Sequence, residues 1–123
     1  MSRILVVDDD TSLAWIARAS LQRFGGHEVE TASSASAALA ILAERSFDAV
    51  LLDAMMPGRD GGSVLEALRA IGDHTTPVIM LTARIADDDR ARYAALGARG
   101  VIAKPFDPRT LAREIAKILE ESR

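Results

Sequence analysis

The chain has no cysteine, few aromatic residues and no cluster of basic residues. The absence of cysteine excludes disulfides, thiolate metal sites and cysteine nucleophiles. Phosphate backbones are bound by clustered lysine and arginine, so a formal net charge of -3 without such a cluster argues against direct nucleic-acid binding by this segment. The first apolar segment follows Met1-Ser2-Arg3 and is too short for a signal-peptide core or a membrane span. We therefore expect a cytoplasmic protein that does not bind a membrane.

The residues that are present fit one domain spanning residues 1–123. Hydrophobic residues make up 49% of the chain and charged residues 27%. This balance is ordinary for a folded domain with its own core, and it argues against a disordered or fibrous protein.

The apolar segments alternate with longer segments that have helical periodicity. Candidate strands lie near residues 3–7, 28–32, 49–52, 77–81 and 99–103. Such alternation predicts an α/β fold in which parallel strands are joined by helices. Three strands are continuous apolar runs, as expected for a sheet covered on both faces. The second strand, within His27–Ala32, alternates polar and apolar residues, so we place it at an edge.

The first and last helices have recognisable faces and ends. The first is predicted to end at Gly25-Gly26, and the last to begin with Asp107 as N-cap and Pro108 as its first helical residue. The apolar face predicted for the first helix consists of Leu13, Ile16, Ala17, Ser20, Leu21 and Phe24. The residues predicted to be buried in the last helix are Leu111, Ile115, Ile118 and Leu119.

Four apolar runs end at polar residues suited to binding phosphate or a cation. The runs and the residues that end them are Ile4–Val7 with Asp8-Asp9, Ala49–Leu52 with Asp53, Val78–Leu81 with Thr82, and Val101–Ala103 with Lys104-Pro105. The carboxyl ends of parallel strands emerge on one edge of the sheet, where open α/β sheets bind their ligands. We therefore predict that these polar side chains share one pocket.

Each strand end also has a purely structural explanation. Asp8-Asp9-Asp10 can cap the first helix, although three adjacent carboxylates repel one another unless a hard divalent cation offsets their charge. Asp53 can be a turn residue, and Thr82 can cap the next helix. Lys104 is harder to explain in this way, because a charged side chain at the end of a hydrophobic strand needs a partner if it is buried.

Taken in order, these residues resemble the receiver domains of two-component response regulators over essentially the whole chain. The matching residues are Asp8-Asp9, Asp53 with Met56-Pro57 and Asp60-Gly61, Thr82-Ala83, and Lys104-Pro105-Phe106. The resemblance implies a doubly wound, flavodoxin-like sheet of five parallel strands in the order 2-1-3-4-5, with five helices. It also implies phosphorelay signalling by a phosphorylated switch that controls a downstream protein target.

The resemblance assigns a role to each site residue. Asp53 would accept a phosphoryl group from a phosphohistidine on a sensor histidine kinase or a histidine phosphotransfer protein. Lys104 and the hydroxyl of Thr82 would contact the phosphoryl oxygens.

The resemblance also implies a metal site. Asp9 and Asp53 would bind Mg²⁺ or Mn²⁺ through their side chains. Met55 would bind the ion through its backbone carbonyl, and Asp8 through a water molecule.

Three positions refine this interpretation. Val101 stands where family members commonly have an aromatic residue or histidine, so the aromatic part of the switch is missing. Met55 cannot orient an attacking water and Arg84 could shield the phosphoryl group, which predicts slow self-dephosphorylation. Trp15 is predicted to lie away from the apolar face of the first helix and to contact the phosphodonor.

Two alternatives remain open on the sequence. One is the receiver fragment of a larger transcription factor, whereas the end of the sequence at the last helix favours a stand-alone receiver. The other is a magnesium-dependent phosphatase with an aspartate nucleophile. Such an enzyme would need a second aspartate where Met55 stands, which argues against it.

Overall fold

The structure is a computed structural model that describes residues 2–56, 59–70, 75–83 and 87–121, without the side chains of residues 59–62 and 87–89. Five parallel strands form one sheet in the order β2-β1-β3-β4-β5. The strands are β1 (Arg3–Val7), β2 (Glu28–Ala32), β3 (Ala49–Asp53), β4 (Val78–Thr82) and β5 (Gly100–Ala103). The predicted fold class, the strand order and the edge position of the second strand are confirmed.

In the described part of the chain, five helices cover the sheet on both faces. They are α1 (Thr11–Gly25), α2 (Ala35–Glu44), α3 (Gly61–Ala70), α4 (Asp87–Ala95) and α5 (Leu111–Glu121). Leu21 of α1 and Ile115 of α5 are buried on one face, in a cluster with Leu51 of the sheet. Leu65 of α3 is buried on the other face with Met80 of the sheet. The continuous apolar strands are therefore buried on both sides, as their composition predicts.

Helix α1 has the ends that the sequence predicts. The Asp10 carboxylate accepts a hydrogen bond from the Leu13 backbone N–H at 3.1 Å. Gly26 closes the helix in a left-handed conformation with φ of 65°, and its N–H donates to the Leu21 carbonyl. Asp10 is therefore the residue of the acidic run that caps the helix, which leaves Asp8 and Asp9 for another role.

The predicted apolar face of α1 is wrong at two positions. Ile16 is 39% exposed and Phe24 is 52% exposed, whereas the buried residues are Ala14, Ala17, Ser20 and Leu21. Small alanine side chains let the helix approach the sheet closely, so α1 is rotated relative to the face that hydrophobicity alone predicts. Larger apolar side chains remain on the outer side as a result.

The start of α5 also differs from the prediction. The helix begins at Leu111, and residues 108–110 form a turn. The Asp107 carboxylate accepts from the Arg109 N–H at 2.8 Å, and the Asp107 carbonyl accepts from Leu111 at 3.0 Å. Asp107 therefore caps this turn before the regular helix begins. Leu111 and Ile115 are fully buried as predicted, while Ile118 and Leu119 are partly buried.

Candidate functional site

The four strand ends meet at the carboxyl edge of the sheet. Asp8 directly follows β1, Asp53 and Thr82 are the last residues of β3 and β4, and Lys104 directly follows β5. The Asp8 N–H donates to the Ala32 carbonyl at 3.0 Å, and the Lys104 N–H donates to the Thr82 carbonyl at 2.8 Å. These bonds continue the strand pairing one residue past the strands, which fixes the backbone from which the side chains project.

Asp8 is a buried carboxylate with two different environments. Its side chain is 1% exposed. Oδ1 accepts a hydrogen bond from the Asp10 backbone N–H at 2.9 Å. Oδ2 lies 3.1 Å from the Lys104 ammonium, its ion-pair partner. Asp8 is therefore held by one ion pair and one backbone hydrogen bond, and its carboxylate oxygens have further lone pairs with which to accept.

Asp53 is the second buried carboxylate. Its Oδ1 accepts from the Met55 backbone N–H at 3.0 Å and lies 3.1 Å from the Lys104 ammonium. Burial raises the pKa of Asp53 to about 6, because the ionised form is poorly solvated there. The Met55 N–H and Lys104 oppose this rise in pKa, whereas the charge of Asp8 adds to it. The protonation midpoint of Asp53 therefore lies at about pH 6, and the carboxylate is mostly ionised at neutral pH.

Lys104 joins the two buried carboxylates. Its ammonium is 3.1 Å from both Asp8 Oδ2 and Asp53 Oδ1, and its side chain is 18% exposed. Burial acts to lower the pKa of Lys104, but its contacts with the two carboxylates outweigh burial and raise that pKa above its ordinary value. Lys104 is therefore a cation with a fixed position. The peptide bond between Lys104 and Pro105 is cis, the isomer that the sequence allows at a proline.

The acidic residues fit a divalent cation. Asp8, Asp9 and Asp53 each offer a carboxylate oxygen, and these three oxygens lie within 4.8 Å of one another. Asp9 is exposed, so its carboxylate can reach an ion from the solvent side. Three carboxylates face one ammonium, which leaves excess negative charge, and hard oxygen ligands are those that Mg²⁺ prefers.

Thr82, Val101 and Met55 surround this cluster in different ways. Thr82 is buried and pairs in register with Ala103, the residue before Lys104. Val101 is partly buried against the core on the α2, α3 and α4 side. The Met55 side chain is 68% exposed, although its backbone N–H is bound to Asp53. The structure therefore brings Thr82 and Met55 to the site. Val101 lies earlier on β5, three residues before Lys104.

Trp15 lies on the outer side of α1, as predicted. Its side chain is 67% exposed. It also lines a cavity of about 130 Å³ together with Asp8, Thr11 and Ala14. The predicted exposure is confirmed, and the cavity lies between α1 and the end of β2, with Asp8 as the member of the acidic cluster that lines it.

Some predictions concern positions outside the described residues. These are the proposed shielding by Arg84 and the match at Pro57 in the motif. The side chain of Asp60, a further motif residue, is likewise outside them.

Sequence reasoning missed the role of Ser20. Ser20 is buried in α1, and its hydroxyl donates to the Pro108 carbonyl. This bond ties α1 to the segment that follows Lys104. A polar residue on the apolar face of a helix is the signal that could have indicated such a contact.

Comparison with known proteins identifies the family. The chain matches the family model of the response regulator receiver domain over residues 4–116. The transcriptional regulatory protein CpxR of Escherichia coli (strain K12) is 43% identical over 122 residues, which cover 99% of this chain and 51% of CpxR. The response regulator MprA of Mycobacterium sp. (strain KMS) is 39% identical over 120 residues, which cover 98% of this chain and 51% of MprA.

A solved structure agrees with these sequence matches. The chemotaxis protein CheY4 of Vibrio cholerae has a TM-score of 0.89 and 34% identity to this chain, covering 96% of this chain and 98% of that one. The chain therefore belongs to the receiver domains of two-component response regulators, which act in phosphorelay signalling. It spans about half the length of the curated relatives it matches.

Family membership bears on the alternatives left open by the sequence. It favours a signalling switch over a phosphatase acting on small phosphoesters. Within the described residues, none of the helices has both the length and the apolar character that a membrane crossing requires.

Proposed function

We propose that Asp53 accepts the phosphoryl group and that residues 1–123 form the receiver unit. The observation that carries this proposal is the position of the Lys104 ammonium, 3.1 Å from both Asp53 Oδ1 and Asp8 Oδ2. A fixed ammonium beside a carboxylate is suited to neutralising the charge that spreads over a phosphoryl group during transfer. Lys104 thus stands beside the carboxylate that would become bonded to phosphorus.

The transfer step is a displacement at phosphorus. A carboxylate oxygen of Asp53 attacks the phosphorus of a phosphohistidine, a P–O bond forms, and the P–N bond breaks. The imidazole nitrogen leaves with the electron pair. Lys104 and the hydroxyl of Thr82 bind the phosphoryl oxygens, because Thr82 ends the neighbouring strand beside the residue that precedes Lys104. The partner is a sensor histidine kinase or a histidine phosphotransfer protein.

The proposed metal ligands are Asp9 and Asp53 through their carboxylates, Met55 through its carbonyl, and Asp8 through a water molecule. Bound Mg²⁺ or Mn²⁺ supplies positive charge that stabilises the transferring phosphoryl group. Asp8 is paired with Lys104 through Oδ2, and its carboxylate keeps lone pairs that suit it to accept from a bound water. Asp9 is the exposed member of the set and can be changed without disturbing the core.

We expect the signal to pass through Thr82 instead of an aromatic reporter. Thr82 is buried at the site, whereas Val101 has neither a ring nor a hydroxyl with which to report a change. Movement of Thr82 toward the phosphoryl group would shift the segment after β4 and present a changed surface to a downstream protein. In this proposal the domain catalyses its own phosphorylation and then acts as a switch through the movement of Thr82.

Trp15 is the proposed contact with the phosphodonor. It is 67% exposed and lines a cavity with Asp8. A large exposed aromatic side chain at the mouth of a site is suited to act as a binding hot spot.

Self-dephosphorylation is expected to be slow. Met55 lies two residues beyond the acceptor, and a thioether is only a weak hydrogen-bond acceptor for an attacking water. A time course of phosphate release from the purified phosphoprotein checks this, and complete release within seconds would contradict it.

A second proposal concerns the output of the whole protein. CpxR is named a transcriptional regulatory protein, and the match covers 51% of its length. This supports a role of the receiver in a transcriptional regulator that includes a further segment. Tighter promoter binding by the phosphorylated full-length protein would support this output, and identical binding with and without phosphorylation would contradict it.

The central experiment is phosphorylation by acetyl phosphate with Mg²⁺, followed by intact mass. We expect the wild-type protein to gain one phosphoryl group and Asp53→Asn to gain none. Asp48→Asn is the matched control, because Asp48 precedes β3 at its other end and is exposed. Phosphorylation of Asp53→Asn, or failure of the wild-type protein to react, would contradict the assignment.

A further inference from the structure

The methionine residues differ sharply in their exposure. Met55 is 68% exposed, whereas Met56 is 8% and Met80 is 0% exposed. Met55 and Met56 are adjacent in a short strand that pairs with Arg59–Asp60, so their side chains point to opposite sides. Met56 packs into the core on the α2, α3 and α4 side. The thioether of Met55 is left in solvent.

The exposed Met55 side chain belongs to a residue whose backbone contacts the phosphoacceptor. The Met55 backbone N–H donates to Asp53 Oδ1 at 3.0 Å. The side chain of Met55 is therefore attached to the same residue whose N–H binds the reacting carboxylate. A change in its chemistry can alter the water around Asp53 while the core stays packed.

We propose that Met55 is a reversible oxidation site that shortens the lifetime of the phosphoryl group. This inference rests on the proposed role of Asp53. A peroxide transfers one oxygen atom to the sulfur of Met55, so an S–O bond forms and the O–O bond breaks. The sulfur is oxidised by two electrons, and hydrogen peroxide is reduced to water. Reduction by a sulfoxide reductase with a dithiol removes the oxygen as water and forms a disulfide in the reductant.

Selectivity follows from access to the sulfur. Oxidation of methionine depends on exposure, and a sulfoxide in a packed core would disrupt it. Met56 and Met80 are protected by burial, so a dilute peroxide reaches Met55 first among the described methionines. Oxidation at Met55 leaves the fold intact for the same reason.

The effect on phosphoryl lifetime follows from hydrogen bonding. A thioether is a weak acceptor and does not hold water in place. The sulfoxide oxygen is a polar acceptor that can hold a water beside the acyl phosphate. We expect hydrolysis to become about threefold to tenfold faster, which is the rate effect of about one ordinary hydrogen bond.

The first experiment locates the oxidation without using phosphorylation. The wild-type protein is treated with dilute hydrogen peroxide and its peptides are analysed by mass. Met55 should be oxidised about tenfold faster than Met56 or Met80, in line with their exposure. Equal rates at Met55 and Met56 would overturn the proposal.

The second experiment measures phosphoryl lifetime before and after peroxide treatment. Met55→Leu has no sulfur at this position and keeps a similar volume. The lifetime of each protein after oxidation is compared with its own lifetime before oxidation. An effect of leucine on the starting lifetime therefore does not alter the comparison. We expect oxidation to shorten the lifetime in the wild-type protein and in the control Met56→Leu, but not in Met55→Leu. Sulfoxide reductases for both sulfoxide epimers, supplied with a dithiol, should restore the original lifetime.

The possible outcomes separate this inference from the proposed function. If untreated wild-type protein is phosphorylated at Asp53 and oxidation of Met55 leaves the lifetime unchanged, the role of Met55 is wrong while that of Asp53 stands. A lifetime that shortens equally in Met55→Leu also overturns the role of Met55. If untreated protein is not phosphorylated at Asp53, the proposed function fails and this inference fails with it.

Discussion

Replacing Asp53 by asparagine should stabilise the metal-free protein at neutral pH. Burial raises the pKa of Asp53 from an ordinary value of 3.8 to about 6. Because the folded-state pKa is above the unfolded one, the stability from protonated Asp53 is fully present below pH 3.8 and is lost as the pH rises to about 6. Above that pH the folded protein holds an ionised carboxylate in an unfavourable environment. Asparagine has nearly the same shape and no charge.

The pKa of Asp53 sets the size of the expected effect. Each pKa unit corresponds to about 1.4 kcal/mol, so the change from 3.8 to about 6 corresponds to at most about 3 kcal/mol. Asparagine also loses the attraction between Asp53 and Lys104, which makes the gain in stability smaller. Lys104 still has a charged partner in the variant, because Asp8 lies 3.1 Å from its ammonium. We therefore expect the free energy of unfolding to rise by about 1 to 3 kcal/mol at about pH 7.5.

Urea unfolding in the presence of a chelator measures this difference. The gain should fall below about 1 kcal/mol at about pH 4, where Asp53 is protonated in the folded protein. Glu44→Gln is the control, since Glu44 is an exposed acid at the end of α2. A variant no more stable than the wild-type protein at neutral pH, or a gain of equal size at both pH values, would refute the reasoning.

Three further predictions concern the metal and the phosphodonor. Mg²⁺ at one hundred times its Kd should stabilise the wild-type protein by about 2.7 kcal/mol. A melting temperature of Asp9→Ala that still rises when Mg²⁺ is added would contradict the metal site. Mg²⁺ affinity, measured by titration calorimetry, should increase as the pH rises through about 6, because the cation binds ionised Asp53; an affinity independent of pH would argue against this linkage. Trp15→Ala should slow phosphotransfer from the kinase about tenfold relative to the exposed control Phe24→Ala, and equal rates would count against docking at Trp15.

The strand order and the convergence of the strand ends could be predicted from the sequence because they depend on local patterns. Continuous apolar runs indicate buried parallel strands, and parallel strands deliver their next residues to one edge. The joint contact of Lys104 with Asp8 and Asp53 could not be read from such patterns. It depends on the register of β5 relative to β1 and β3, which the sequence does not specify locally.

Side-chain size explains why other features were not predicted. Helical periodicity assigns a face by hydrophobicity and gives Phe24 more weight than Ala17. The sheet accepts Ala14 and Ala17 because small side chains permit close packing. The orientation of Met55 and Met56 could not be predicted either, because the sequence of two adjacent methionines does not indicate which one faces the core.

The rotation of α1 links this error to function. With alanines against the core, the helix leaves Ile16 exposed beside Trp15, which lines a cavity with Asp8. An apolar surface of this kind is unfavourable in solvent unless a partner covers it during function. The packing of Ala14 and Ala17 therefore adds Ile16 to the exposed side of α1 that carries Trp15, the residue proposed to contact the phosphodonor.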